Sequence, residues 1–219
     1  RAQQFPEDAG PTAHPVRPDA YQEVNNFYTA TIYEKGAEIV RMLHTLIGPE
    51  AFRAGLRRYL QTHDGTAATI EDFVAALSAA SAQDLSPFLA WYGQAGTPRV
   101  RLRREWDAAA GRLRLTLTQH TAPTPGQSDK QPLPIPFRLQ LTDAAGRLVP
   151  LPEHPARRGE DLLLMDQATL VLEVSHGSAP LPTCLQGFSA PVRLDADYSD
   201  HELRRIAARA EEDGFVRWD

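Results

Sequence analysis

Near residue 97 the hydrophobic period of this chain changes from 3.6 to 2, and that change most constrains what it can fold into. Before it, apolar residues recur at helical spacing. Ile32, Ile39, Val40, Leu43, Leu46 and Ile47 fall on one stripe. Gly48 stops that helix and Pro49 can open the next at its first position. Phe52, Leu56, Tyr59 and Leu60 give the second helix its apolar face, and His63-Asp64-Gly65 ends it. Thr69 reads as an N-cap, with Glu71 and Asp72 where the helix dipole favours acids. Phe73, Val74 and Leu77 follow as that helix's buried face. A short helix from Ser86-Pro87 carries Phe88, Leu89, Trp91 and Tyr92, and Gly93, Gly96 and Pro98 close the region.

After it, apolar and polar residues alternate. Val100 and Leu102 alternate with arginines, Leu113, Leu115 and Leu117 with Arg112, Arg114, Thr116 and Thr118. Leu133, Ile135, Phe137, Leu139 and Leu141 form a third run, and turn signals separate the runs. Shorter strands fit residues 162–165, 170–174 and 191–194. About seven short strands predict an antiparallel β-sandwich. Pro132, Pro134 and Pro136 place the third run at an edge or in a bulged strand. From Ser199 the pattern is helical again. Ser199 with Glu202 is a capping box, and Leu203, Ile206 and Ala207 make a stripe too small to form a core alone. Residues 1–24, with four prolines, read as extended or irregular chain. The expectation is an α+β multidomain chain with boundaries near 96 and 197, whose last helix opens a domain continuing past Asp219.

Composition excludes several function classes. Net charge is −5, with no basic cluster on a groove-reading element, so nucleic acid is not an expected partner. No apolar run approaches the ~18 residues of a membrane span. Cys184 is the only cysteine, so no internal disulfide framework exists and a cytosolic compartment is allowed. The chain opens on Arg1 rather than Met, which suggests a piece of a longer protein.

Strong catalytic signatures are missing. Seven histidines (14, 44, 63, 120, 154, 176 and 201) include no pair four apart, so a zinc site built from this chain alone is not expected. His44 reads as a partly buried helix histidine. No nucleophile elbow is present, and Cys184 reads as a small buried residue. Glu34 and Glu38 share a helix face, but Arg41 can pair with Glu38. Glu71-Asp72 is explained by capping and residues 211–213 by a solvated charge run.

That leaves residues 25–36, NNFYTATIYEKG, which set three aromatics (Phe27, Tyr28, Tyr33) and the charged pair Glu34-Lys35 at a helix threshold. Two readings stand. The aromatics are core residues at a helix start, or a tyrosine hydroxyl there donates to charge that develops in a reaction.

Longer similarity adds to this. NNFYTATIYEKGAEIVRMLHTLIG resembles the segment of the bacterial aminopeptidase N family, zinc-dependent alanyl aminopeptidases, that follows the zinc motif. FPEDAGPTAHPVRPD, DGTAATIEDF, LAWYGQAGTPRV, KQPLPIPF and FSAPVRLDADYSD resemble that family in the same order, over nearly the whole chain. The resemblance implies the late, helical part of a thermolysin-like catalytic domain over 1–96, an Ig-like β-sandwich over 97–197, and the first helix of an all-α domain over 198–219. It implies that Tyr33 is the catalytic tyrosine, hydrogen-bonding the oxyanion of the tetrahedral intermediate, and that Asn25 and Tyr28 border the pocket for the substrate's N-terminal side chain. It further implies a cytoplasmic, monomeric hydrolase of peptides that carries zinc as a whole protein. The His-Glu-x-x-His motif, the glutamate that is the third zinc ligand and the Gly-Ala-Met-Glu-Asn segment are absent. The chain by itself is therefore expected to hold no zinc and to be inactive. The alternative is a non-enzymatic helical plus sandwich module that binds other proteins.

Overall fold

The computed structural model describes residues 1–20, 23–209 and 213–218. Glu211 and Glu212 of the acidic run lie outside the described residues. Contacts divide the chain into two compact units: residues 1–97 with 121–134, and residues 98–120 with 135–219.

The first unit is helical. Helix α1 spans Gln4–Asp8 and buries Phe5. The irregular reading of residues 1–24 is thus corrected at Gln4–Asp8: Pro6 lies in the first turn, where the missing N–H has no helical partner to lose. Val24–Phe27 form a 3-10 turn and Thr31–Lys35 a π-helical turn that leads into α2, Gly36–His63. Gly48 breaks α2 with φ 80° and ψ 164°, a conformation that suits glycine, and Pro49 resumes it. Its first half buries Ile39, Met42, Leu43 and Leu46.

Helix α3, Ile70–Ser81, starts on a reciprocal capping box. The Asp72 N–H donates to Thr69 Oγ1 at 3.2 Å and the Thr69 N–H to Asp72 Oδ2 at 2.9 Å. It crosses α2 at Gly55, where an added Cβ would lie 2.6 Å from Leu77 Cδ2 and 2.9 Å from Leu77 Cα. A 3-10 turn, Ser86–Leu89, leads into the short α4, Ala90–Gly93. The buried Trp91 donates its indole N–H to the Pro134 carbonyl at 2.8 Å, and Lys130 Nζ donates to the Ala95 carbonyl at 2.9 Å. Those bonds return residues 121–134 to the helical unit. Solvent reaches His44, contrary to the partly buried expectation, and its ring meets Phe52 edge-on at 5.1 Å.

The second unit is a sandwich of two sheets. Strands β1 (Arg99–Asp107), β2 (Arg112–His120), β6 (Thr169–Ser175) and β8 (Arg193–Ala196) form one, in the order β6-β2-β1-β8. In the other, β3 (Ile135–Thr142) pairs with β4 (Leu148–Val149), β5 (Leu162–Met165) and β7 (Leu181–Cys184). Two expectations are corrected. The pairing of β1 with β8 is parallel, so the sandwich is not wholly antiparallel. With three partners, β3 is no edge; the strand begins only at Ile135, so Pro132 and Pro134 precede it and leave most of its N–H donors free for the ladder. The alternation does its expected work: Leu102, Leu115, Leu172, Phe137, Leu139 and Leu163 fill the space between the sheets. Outside, Arg114 pairs with Glu173 at 2.9 Å.

Helix α5, Asp200–Arg209, carries the expected capping box: Ser199 N–H and Oγ donate to Glu202 Oε2 at 2.9 and 3.0 Å. Arg104 grips the same carboxylate in a fork, Nη1 to Oε1 at 2.7 Å and Nη2 to Oε2 at 3.1 Å. The Arg104 hydrogen bonds, with those from Ser199, pull the Glu202 carboxyl down to about 2. Within α5 no residue is fully buried, and Leu203 is 48% exposed. The final short helix, α6, spans Gly214–Trp218.

Gly55→Ala separates propensity from packing. An exposed helix interior would gain ~0.5–1 kcal/mol from this change. The close approach of Leu77 reverses the sign, and a loss of ~1–3 kcal/mol is expected. Urea unfolding reads the difference, and an unchanged or higher midpoint contradicts the close crossing.

Candidate active site

Lys35 continues the buried stripe of α2, one turn before Ile39, and is only 1% exposed. An ammonium in that position costs several kcal/mol unless a carboxylate and further hydrogen bonds compensate. Asp8 supplies the carboxylate: Lys35 Nζ donates to Asp8 Oδ2 at 2.9 Å and to the Gly96 carbonyl at 3.0 Å. Burial lowers the Lys35 pKa, while the Asp8 charge and hydrogen bond oppose that shift. Asp8 is itself saturated. Its Oδ2 also accepts from Gln4 Nε2 and Thr97 Oγ1, both at 2.8 Å, and its Oδ1 from the Gly96 N–H at 3.2 Å. Glu34, the neighbour of Lys35 in sequence, is exposed, and the carboxylate that Lys35 meets lies 27 residues earlier.

Glu7, next to Asp8 on α1, holds the other end of the same turn. It accepts from the Thr31 N–H at 2.8 Å, from the Ala30 N–H at 3.3 Å and from the Thr31 hydroxyl. Burial alone would raise its pKa, but the Thr31 and Ala30 hydrogen bonds outweigh it and leave Glu7 below the ordinary carboxylate value.

Tyr33 stands midway along this turn, 59% exposed, and Tyr28 is 68% exposed. Their rings stack with centroids 6.1 Å apart and an interplanar angle of 14°. Neither tyrosine is therefore a core residue, although Phe27 is half-buried. Asn25 is exposed in the turn before Tyr28, and its carbonyl accepts the Tyr28 N–H at 3.1 Å. The structure thus brings Tyr28 and Tyr33 together and puts Asn25 one turn away. Glu38 pairs with Arg41, Nε to Oε2 at 2.8 Å, and belongs to the helix surface.

Sequence reasoning missed Gln4, Glu7, Asp8 and Thr97. One signal pointed to them: a lysine at a stripe position of α2 demands a carboxylate from elsewhere in the fold. Of the other titratable groups, Cys184 is buried, and desolvation raises its pKa to about 12. A groove of about 670 Å³ on the second unit is lined by Arg101, Arg104, Asp195 and Glu202 among others. These four pair with one another, Arg101 with Asp195 at 3.0 Å and Arg104 with Glu202 at 2.7 Å, which leaves that part of the lining charge-balanced.

Residues 1–92 match the family described as Peptidase family M1 domain, and residues 96–197 match a domain of unknown function, DUF3458, with an Ig-like fold. Over the whole chain, 46% of residues are identical to aminopeptidase N of Escherichia coli strain K12. The chain belongs to peptidase family M1. Aminopeptidase N of Caulobacter vibrioides is 50% identical, again over 100% of this chain. This M1 chain spans about a quarter of the length of those relatives, 25% and 24%. Among solved structures, aminopeptidase A of Legionella pneumophila in complex with aspartic acid superposes with a TM-score of 0.78 at 28% identity. The match covers 95% of this chain and 23% of that one.

M1 peptidases are generally zinc-dependent. The residues here do not fit that metal: among the described residues, no group of three or more His, Cys, Asp or Glu could hold an ion. The acids near Tyr33 are engaged already, Asp8 with Lys35 and Glu7 with Thr31.

The buried pair makes a test of the site's framework. Asp8→Asn leaves a buried ammonium uncompensated and is expected to cost about 3–5 kcal/mol in urea unfolding. Adding Lys35→Met removes the stranded charge and should restore most of that loss. Equal stability of the single variant and the parent would show that the pair is dispensable.

Proposed function

We propose that this chain forms one wall of the active site of an aminopeptidase that removes N-terminal residues from peptides, and that Tyr33 is its catalytic residue. When water adds to the scissile carbonyl, negative charge gathers on the carbonyl oxygen. A pre-positioned hydroxyl that donates to that oxygen stabilises the transition state by about 2.7–4 kcal/mol, a factor of about 10²–10³ in rate. The observation that carries this reading is an exposed tyrosine on a turn held at one end by the half-buried Glu7 and at the other by the buried Asp8. Such rigidity has value for catalysis because the donor need not reorganise as charge develops.

Asn25 and Tyr28 border the substrate's N-terminal side chain in this proposal, with the Tyr28 ring backing Tyr33. The chemistry that a zinc ion would supply in such an enzyme is acidification of a water and polarisation of the carbonyl. Its ligands, and the base that takes the water's proton, belong to residues outside 1–219. We assign residues 1–96 to the late catalytic domain, 97–197 to the sandwich, and 198–219 to the opening helix of an α-helical domain, in line with the exposed Leu203. A monomeric, cytoplasmic protein completes the proposal; the lone, buried thiol of Cys184 accords with a reducing compartment. The similarity to aminopeptidases over the whole chain weighs against a non-enzymatic interaction module.

Two measurements check this. In the full-length protein, Tyr33→Phe is expected to lower kcat by about 10²–10³ with a much smaller change in KM. A normal kcat removes the assigned role. The isolated 219 residues are expected to release nothing from an aminoacyl anilide, and activity there that a chelator abolishes would overturn the assignment of the metal ligands to other residues.

A further inference from the structure

We propose that Glu7 and Asp8 are positioning residues for the Tyr33 hydroxyl, acting through the π-helical turn; this rests on the reading of Tyr33 as the oxyanion donor. A π turn carries one more residue than the α-helical register that a free chain prefers. Outside contacts must hold it, and here two adjacent carboxylates do so. Glu7 takes the Thr31 N–H and hydroxyl at the start of the turn, and Asp8 takes the Lys35 ammonium at its end. Tyr33 lies two residues from each anchor. The fork is itself immobile, because Asp8 also accepts from Gln4, Thr97 and Gly96, the last two at the close of the helical unit. Helix α1 therefore ties the tyrosine's turn to the point where the chain leaves for the sandwich. Relaxation toward α-helical register would turn the Tyr33 ring away from its present direction without unfolding α2. Small displacements of this kind lower kcat rather than substrate affinity, since the hydroxyl serves the transition state.

The test uses the full-length enzyme with Glu7→Gln and Asp8→Asn. Hydrogen exchange of the amides of residues 30–36 is measured alongside kcat and KM for an aminoacyl anilide. Exchange at those amides should quicken about tenfold and kcat should fall about tenfold, with KM held within about twofold. In a Tyr33→Phe background, Glu7→Gln should cost no further activity. Unchanged exchange overturns the proposal, as does faster exchange with normal kcat, or an equal loss of kcat in both backgrounds. If Tyr33→Phe alone leaves kcat normal, the functional reading fails and this inference with it; the other adverse results sink only this inference. Should Asp8→Asn not fold, Glu7→Gln decides, since that carboxylate is 27% exposed and its variant is expected to keep the parent's melting temperature.

Discussion

The ion pair of Lys35 with Asp8 is the contact on which the helical unit turns. Both side chains are removed from water, at 1% and 0% exposure, where neither charge would persist alone. Satisfying them recruits Gln4 from α1, the backbone of Gly96 and the hydroxyl of Thr97. Three stretches distant in sequence thereby meet at one carboxylate. A lysine–aspartate pair is seldom better for stability than an apolar pair of equal volume, but it fixes geometry. Here it fixes the turn that presents Tyr33.

Much of the fold was legible because local physics decided it. The capping boxes at Thr69 and Ser199, the break at Gly48 and the change of period near residue 97 each depend on neighbours within a few residues. Misreadings came where distant contacts won. Helix α1 hides among prolines and is held by Lys35 and Thr97 rather than by propensity. The parallel pairing of β8 with β1 joins residues some 94 apart, such as Arg99 with Arg193, which no window reveals. Strand β4, of two residues, is too short for a period to show, and β7 carries Pro182 in a four-residue run without alternation.

The candidate site divides in the same way. Tyr28 and Tyr33 were visible as aromatics at a helix start, and only the structure showed that they face solvent and stack. The acids that hold their turn were harder to find, since Glu7 and Asp8 read as ordinary polar residues in a proline-rich segment and only the stripe position of Lys35 called for a carboxylate. Metal chemistry sets the limit of what these residues do. The described residues gather no ligand set, so on the proposed reading the chain contributes a hydrogen-bond donor and part of the pocket wall.

The most direct measurement is a crystal structure of the full-length protein with a tetrahedral transition-state analogue bound. The Tyr33 hydroxyl is expected about 2.5–3.0 Å from the analogue's oxyanion oxygen, with Lys35 still paired to Asp8. A Tyr33 hydroxyl more than about 4 Å from that oxygen, beyond hydrogen-bond reach, would contradict the role assigned to Tyr33.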